Sequence, residues 1–572
     1  MAEVPDSPWP VRLAREVTHG AALAPWDGVA LVGGSPGWSD LAVSGPDPLL
    51  VSARLDATSE LPPEGYTLRL WAAADGHRRL DVVAGTPAGL RHAYRTARAV
   101  VRSAWAVTTT ITDWPSVRRR GFLDCYYGPS WSEADRRTLI VEAAGWGMNA
   151  YCYGPSGDPH IGAGWRQPYS AAKRAEFARL VALGAEHGVE ICWRVSPSAP
   201  LAPEAGMVLS DQAETDLLLT RIDDVLDTGV GTILLAFDDV ENGLFHEADR
   251  RAFGADPHPV AAAHARLATV VAAHLATRGA NLVLCPIRYW GTEPDAYNSR
   301  LTELVADTPV PIEFCWTGPR VTSTWITAAD AAGGARRHPG HPLFLWDNYP
   351  VNDWDGFDPS TGAPARRRLF LGAIEGRSAE VGPYLGSYLI NCGAEPLPCL
   401  PALATAAQWS WNPEAHDAGA AWQAVLDHYD GVDGGLAHLA ALGSTSPLHL
   451  LPPHPLAVAV LGYLADTRDA AEVRALVDAT RRRLRTVPET LALHRWVADI
   501  GFQLDAAESA VVVIEAFRTG DVAAFAEAAQ WLAERRHQLD APFPAAVLDG
   551  VLVPLIERGR GLAGGPIPTH DV

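Results

Sequence analysis

Lysine is almost missing from these 572 residues: Lys173 is the only one, and arginine supplies nearly all of the positive charge. Basic residues are outnumbered as well, 46 Lys and Arg against 67 Asp and Glu, for a formal net charge of −21. That balance argues against nucleic acid or an anionic membrane as the main partner, since both recruit proteins through clustered positive charge. No uninterrupted apolar run is long enough to span a bilayer. The N-terminus has no basic segment leading into an apolar one, so no secretory leader is visible and the expected location is the cytoplasm. The seven cysteines are odd in number and form no Cys-x-x-Cys pair, which argues against a disulfide framework and against a zinc site. Hydrophobic residues at 48% and charged residues at 20% place the chain among soluble globular proteins, and its length calls for two to four domains. The twenty tryptophans are expected mainly in cores and at domain interfaces, although a tryptophan in a cleft also stacks on the apolar face of a sugar ring.

From about residue 116 to 395 a short apolar strand followed by an amphipathic helix recurs. The expected strands are 121–126, 148–153, 189–194, 232–237, 281–285, 311–316, 342–346 and 384–391, with helices such as 132–145 and 171–187 between them. Eight strand–helix units in this length predict a (β/α)8 barrel, whose chemistry sits at the C-terminal strand ends. Six cysteines, Cys125, Cys152, Cys192, Cys285, Cys315 and Cys392, fall at or near those ends and are expected as small buried hydrophobes. Residues 1–115 read as an α/β domain with strands at 49–54 and 66–71 and a helix at 88–101. Residues 396–572 read as all-helical, with periodic segments at 466–485, 488–516 and 522–537 and a frayed tail from Gly564. The helical region suits substrate recognition or homodimer formation, and its pattern does not separate the two.

The run Gly231-Thr-Ile-Leu-Leu-Ala-Phe-Asp-Asp-Val240 ends an apolar strand on two adjacent acids, Asp238 and Asp239. Burial and mutual repulsion at such a place drive the pKa values of a carboxylate pair apart, which is what acid–base chemistry at neutral pH requires. Neighbours on an ideal strand point to opposite faces, so both acids enter one site only where the strand stops and its backbone turns.

Several motifs in order, from about residue 115 to 415, resemble family 84 glycoside hydrolases, the O-GlcNAcase and bacterial β-N-acetylglucosaminidase family. They are Arg120-Gly-Phe-Leu-Asp-Cys-Tyr-Tyr-Gly128, Met148-Asn-Ala-Tyr-Cys-Tyr-Gly-Pro155, Phe237-Asp-Asp-Val240, Cys285-Pro-Ile-Arg-Tyr-Trp-Gly291, Trp316-Thr-Gly-Pro319, Trp346-Asp-Asn348 with Asn352-Asp353, Arg368-Leu-Phe-Leu-Gly372 and Leu389-Ile-Asn391. The resemblance implies retaining hydrolysis of β-linked N-acetylhexosamine, in which the substrate's own 2-acetamido oxygen closes to an oxazoline. Asp238 then orients and polarises the acetamido group, and Asp239 is general acid and afterwards general base. Tyr289 meets the acetamido oxygen or the oxazoline. Asn348, Asp353 and Asn391 hold the sugar's hydroxyls and N-acetyl group, and Trp346 and Tyr127 are pocket aromatics. The partner implied is an N-acetylaminosugar-bearing substrate (glycoprotein, glycan or small glycoside), with no metal or organic cofactor, because the substrate supplies the nucleophile.

Two positions depart from the family pattern. Cys125 stands where Gly-Phe-Tyr-Gly has its first glycine, and Ser156 stands where Tyr-Ala-Pro-Lys-Asp-Asp has a lysine that lines the pocket. Arg288 is the position the sequence offers to restore that positive charge. Changed ring or leaving-group preference is therefore expected. One alternative is a biosynthetic enzyme using the same acetamido chemistry on a small aminosugar metabolite. Another is a non-catalytic carbohydrate-binding protein, against which the retention of both acids speaks.

Overall fold

The computed structural model describes residues 9–32, 37–103, 105, 107–200, 202–353, 369–431, 434–442, 454–540 and 552–564. Its first layer is a seven-stranded sheet of β1 (Glu16–Ala22), β2 (Asp27–Val32), β3 (Val43–Asp47), β4 (Leu49–Leu55), β5 (Tyr66–Ala72), β6 (Arg78–Ala84) and β7 (Val107–Asp113), in the order β1-β7-β5-β6-β4-β2-β3. The sequence pattern marked only β4, β5 and the helix Pro87–Arg102 that packs on them. The edge strands explain part of the shortfall: every residue of β1 is exposed, and β3 carries Gly45 and Pro46, so neither shows an apolar rhythm.

Eight further strands follow: β8 (Arg119–Leu123), β9 (Ala150–Tyr153), β10 (Glu190–Val195), β11 (Thr232–Ala236), β12 (Asn281–Cys285), β13 (Ile312–Trp316), β14 (Leu343–Asp347) and β15 (Leu385–Asn391). Each runs parallel to the next, and β15 pairs with β8 to close the barrel. The strands are short and apolar because both faces are covered. The interior layer holds Leu123, Ala150, Cys152, Cys192, Leu234, Val283, Phe344 and Leu389. At the N-terminal mouth a buried Arg119 spans the lumen, bonding Glu190 at 3.3 Å, Glu313 at 3.1 Å and Thr232 at 3.1 Å. The seven cysteines are all buried and unpaired.

The helix Glu133–Gly145 starts on a full capping box between Ser132 and Asp135, and Ala171–His187 ends on Gly188 in the left-handed region. Among the described residues one helix, Pro259–Arg278, is long and apolar enough to cross a membrane by length and mean hydropathy alone. Half of that window is buried, and the helix packs on β12 and on the helix Ala296–Leu304, the place of a barrel core helix.

After the barrel the chain is helical. Leu400–Trp411 is buried at every residue. Its last residue, Trp411, joins the core of the N-terminal sheet and donates its indole N–H to Asp113 at 2.9 Å. Glu64, in the loop before β5, takes two hydrogen bonds from the fully buried Arg120 of β8, at 2.7 and 3.0 Å. The periodic segment at 488–516 comprises a short 3-10 turn, Glu489–Leu491, and a long helix, His494–Thr519. Ala492 between them is left-handed at φ 52°, which stops the first turn before the helix starts. The tail expected to fray lies outside the described residues beyond Gly564, as does Arg368.

Candidate active site

The chain stops being a strand at Ala236, and Asp239 is left-handed at φ 58°. This turn resolves the alternation problem: both Asp238 and Asp239 line one cavity of about 320 Å3 at the C-terminal mouth of the barrel. Aspartate is among the few residues that accept the left-handed region at small cost. The two acids are treated differently by their surroundings. Asp238 is 6% exposed and accepts from Arg194 Nη2 through both carboxylate oxygens, at 3.0 Å each. Burial pushes its pKa up, Arg194 works against that, and the charge of Asp239 adds to it. Asp239 is exposed and accepts from two phenols, Tyr127 at 2.8 Å on Oδ2 and Tyr289 at 3.0 Å on Oδ1. Burial and the neighbouring carboxylates push both of these tyrosines well above the ordinary phenol range, so they are donors.

Eight further residues singled out from the sequence line the same cavity: Tyr127, Tyr289, Cys125, Ser156, Trp346, Asn348, Asp353 and Asn391. Asn391, the last residue of β15, grips the backbone of Cys125. Its Oδ1 accepts the Cys125 N–H at 3.2 Å and its Nδ2 donates to the Cys125 carbonyl at 2.9 Å. That amide also donates to Asn348 Oδ1 at 3.1 Å, which takes a second bond from Trp346 Nε1 at 3.0 Å. Asp353 accepts the backbone N–H of Tyr127 at 2.7 Å, and burial pushes its carboxyl up to about 6. Beneath them a buried Asp124 ties the ends of β8 and β9 together through Arg136 (3.1 Å), Tyr151 (3.0 Å) and the Gly154 N–H (2.8 Å).

The expectation about Arg288 is corrected. Its side chain is exposed and does not line the cavity. The cation there is Arg194, from the penultimate position of β10, which sequence reasoning passed over. Lys173 is elsewhere, paired with Glu176 at 2.7 Å and resting over the ring of Tyr153. Among the described residues no group of three His, Cys, Asp or Glu side chains is placed to hold a metal ion.

A protein-family model described as beta-N-acetylglucosaminidase matches residues 120–442, more than half of the chain. The chain belongs to the beta-N-acetylglucosaminidase family. Two curated relatives, the Protein O-GlcNAcases of Mus musculus and Rattus norvegicus, are each 27% identical over 292 residues, covering 50% of this chain and 29% of theirs. The match therefore spans less than a third of the length of those relatives. Among solved structures, an O-GlcNAc hydrolase mutant from Thermobaculum terrenum has a TM-score of 0.67 at 24% identity, covering 78% of this chain and 95% of that one. The structure titled CpGH84B has a TM-score of 0.69 at 18% identity, covering 96% and 99% of the two chains. These likenesses establish the fold: a closed eight-stranded parallel barrel with a sheet domain before it and a helical region after it. Within this beta-N-acetylglucosaminidase family member, the matched segment contains the whole cavity and excludes the N-terminal sheet, so the family likeness and the candidate chemistry coincide in the chain.

Proposed function

We propose that this chain is a retaining β-N-acetylglucosaminidase that releases terminal β-linked N-acetylhexosamine by substrate-assisted catalysis. The observation that carries the reading is the unequal carboxylate pair: a buried Asp238 beside an exposed Asp239, both turned into one cavity by a left-handed residue. In the first step the carbonyl oxygen of the 2-acetamido group bonds to C1, the C1–O bond to the leaving group breaks, and Asp239 gives its proton to the departing oxygen. Asp238 accepts the amide N–H and stabilises the positive charge that grows on the oxazolinium. In the second step Asp239, now a carboxylate, takes a proton from water as the water oxygen bonds to C1 and the ring C–O bond opens. Two inversions leave the anomeric configuration unchanged. The internal nucleophile has a high effective concentration, and no enzyme carboxylate has to attack C1. Tyr289, which donates to Asp239 at 3.0 Å, is placed to turn its hydroxyl to the acetamido oxygen once a sugar enters.

The names of the curated relatives put O-linked N-acetylglucosamine on protein forward as one substrate class. Cys125 and Ser156 both face the cavity, and their presence supports a ring or leaving-group preference that differs from those relatives.

The test is release of an aryl alcohol from an aryl β-N-acetylglucosaminide by wild type, Asp238→Asn and Asp239→Asn. Asparagine at 239 keeps a residue that tolerates φ 58°, so a loss there reports chemistry and not strain. Turnover is expected to fall by about 100-fold or more in Asp238→Asn. Asp239→Asn should be partly spared, because a good leaving group needs little acid help. Absence of turnover by well-folded wild type on any β-N-acetylhexosaminide overturns the reading.

A further inference from the structure

Arg194 is the one cation among the described residues lining the cavity, set against the carboxylates of Asp238, Asp239 and Asp353. Its guanidinium reaches from β10 to the end of β11, and its side chain and that of Asp238 are 4% and 9% exposed. Nη2 bridges both oxygens of Asp238 at 3.0 Å, Nη1 lies 3.4 Å from the carbonyl of Gly154, and the buried Nε has no hydrogen-bond partner. A buried guanidinium normally fills all its N–H positions. This one leaves Nε empty and keeps its short contacts for Asp238.

The groups facing Asp238 come from every side of the barrel mouth. They are Arg194 from β10, Asp239 from its own segment, Tyr127 from the segment after β8, Tyr289 from the segment after β12, and the buried thiols Cys285 of β12 and Cys315 of β13. Only Arg194 is positive. Without it, burial and the neighbouring acid both favour a neutral carboxyl at 238. A neutral carboxyl would present an O–H donor where the substrate's amide N–H needs an acceptor.

We propose that Arg194 is a positioning residue: it holds Asp238 in the cavity as an oriented carboxylate that keeps a free lone pair for the N–H of the substrate's 2-acetamido group. The inference rests on the hydrolase reading above, but it concerns a state of the free protein and can be tested apart from turnover. Nη2 occupies one lone-pair direction on each oxygen, and each oxygen of an ionised carboxylate has another to offer.

The experiment compares wild type, Arg194→Lys, Arg194→Met and the double variant Arg194→Met/Asp238→Asn. It reads kcat/KM against pH with an aryl β-N-acetylglucosaminide, and infrared carboxyl titration of the free protein. Arg194→Met leaves Asp238 buried without its partner, a change that destabilises folds, so the lysine variant and the double variant, which removes both charges, keep the test informative. The acidic limb of kcat/KM should move up by about 1 to 3 pH units in Arg194→Met, and by less in Arg194→Lys. In Arg194→Met one protonated-carboxyl band should persist to correspondingly higher pH, and it should vanish in the double variant. An acidic limb and a carboxyl band that stay where wild type has them overturn the proposal, as does a loss of activity of equal size at every pH. If wild type turns over no β-N-acetylhexosaminide, the hydrolase reading fails, while the infrared arm still decides the role of Arg194.

Discussion

Under the proposed function, the half-buried carboxyl of Asp353 sets the pH range of sugar binding. Burial raises its pKa from 3.8 to about 6, and the charge of Asp239 adds to the effect. A raised carboxyl stabilises the fold below its unfolded value and loses that contribution as pH rises through about 6, so Asp353 is ionised at a cost near neutrality. In the proposed reaction its carboxylate accepts from the sugar's hydroxyls; protonated, it accepts more weakly and offers an O–H in place of one lone pair. N-acetylglucosamine should therefore bind wild type about tenfold more weakly at about pH 5 than at about pH 7, the value of one charge-assisted hydrogen bond. Calorimetric titration of Asp353→Asn should show weaker binding with a flat dependence over that range. Ten residues of the cavity lining were legible because each sits in a motif at a strand end, where the barrel gathers loops. Arg194 was not, because in Glu190-Ile-Cys-Trp-Arg-Val195 it reads as a polar break in a buried strand. Its partner is 44 residues away, and only the adjacency of β10 and β11 brings the two together.

At the scale of elements, the helices and barrel strands follow local chemistry closely. Ser132 and Asp135 read as a helix start, and the structure closes a reciprocal capping box there, with the Asp135 N–H on Ser132 Oγ at 3.1 Å and the Ser132 N–H on Asp135 at 3.2 Å. Ser132→Ala should cost about 1 kcal/mol, felt locally in the first turn of Glu133–Gly145. Hydrogen exchange should show the amides of 133–136 opening faster. The second capping box, Thr327 with Asp330 before Ala328–Arg337, serves as the internal control and should not change. The N-terminal sheet was far less legible. In β6 the burial does alternate, but the segment begins Arg78-Arg79, and β7 is Val107-Thr-Thr-Thr-Ile-Thr-Asp113, with only two aliphatic residues. Such strands earn their place by pairing with neighbours distant in sequence, which a local pattern does not record.

For the whole molecule, the order of sheet, barrel and helices could be read from where the strand–helix rhythm begins and ends, but the way they dock could not. Trp411 meets Asp113 across 298 positions, and Arg95 lies between the rings of Trp9 and Trp411 at 4.7 and 4.4 Å. The docking seam runs along the N-terminal end of β8 and β9, opposite the mouth that holds the cavity. Its charged centre is Glu64, which also receives His92 at 2.8 Å and Asn149 at 3.2 Å. Burial works to raise the Glu64 carboxyl, but Arg120 and His92 outweigh it and hold it well below 4.5. A depressed carboxyl contributes stability that is present above about 4.5 and lost as pH falls below it. Glu64→Gln removes that contribution and leaves the fully buried Arg120 without its counter-charge. The junction should weaken by about 3 kcal/mol, or about a hundredfold in its opening equilibrium, read by hydrogen exchange across Pro87–Arg102 near neutral pH. The gap between variant and wild type should begin to narrow as pH falls below about 4.5 and close only where the folded Glu64 carboxyl itself protonates, far below the ordinary carboxylate range, because protonation does to wild type what the substitution does to the variant. Adding Arg120→Met should recover much of the loss, since it removes the uncompensated buried charge. Equal exchange in wild type and Glu64→Gln near neutrality would place the strength of the junction in the Trp9–Arg95–Trp411 stack instead of the ion pair.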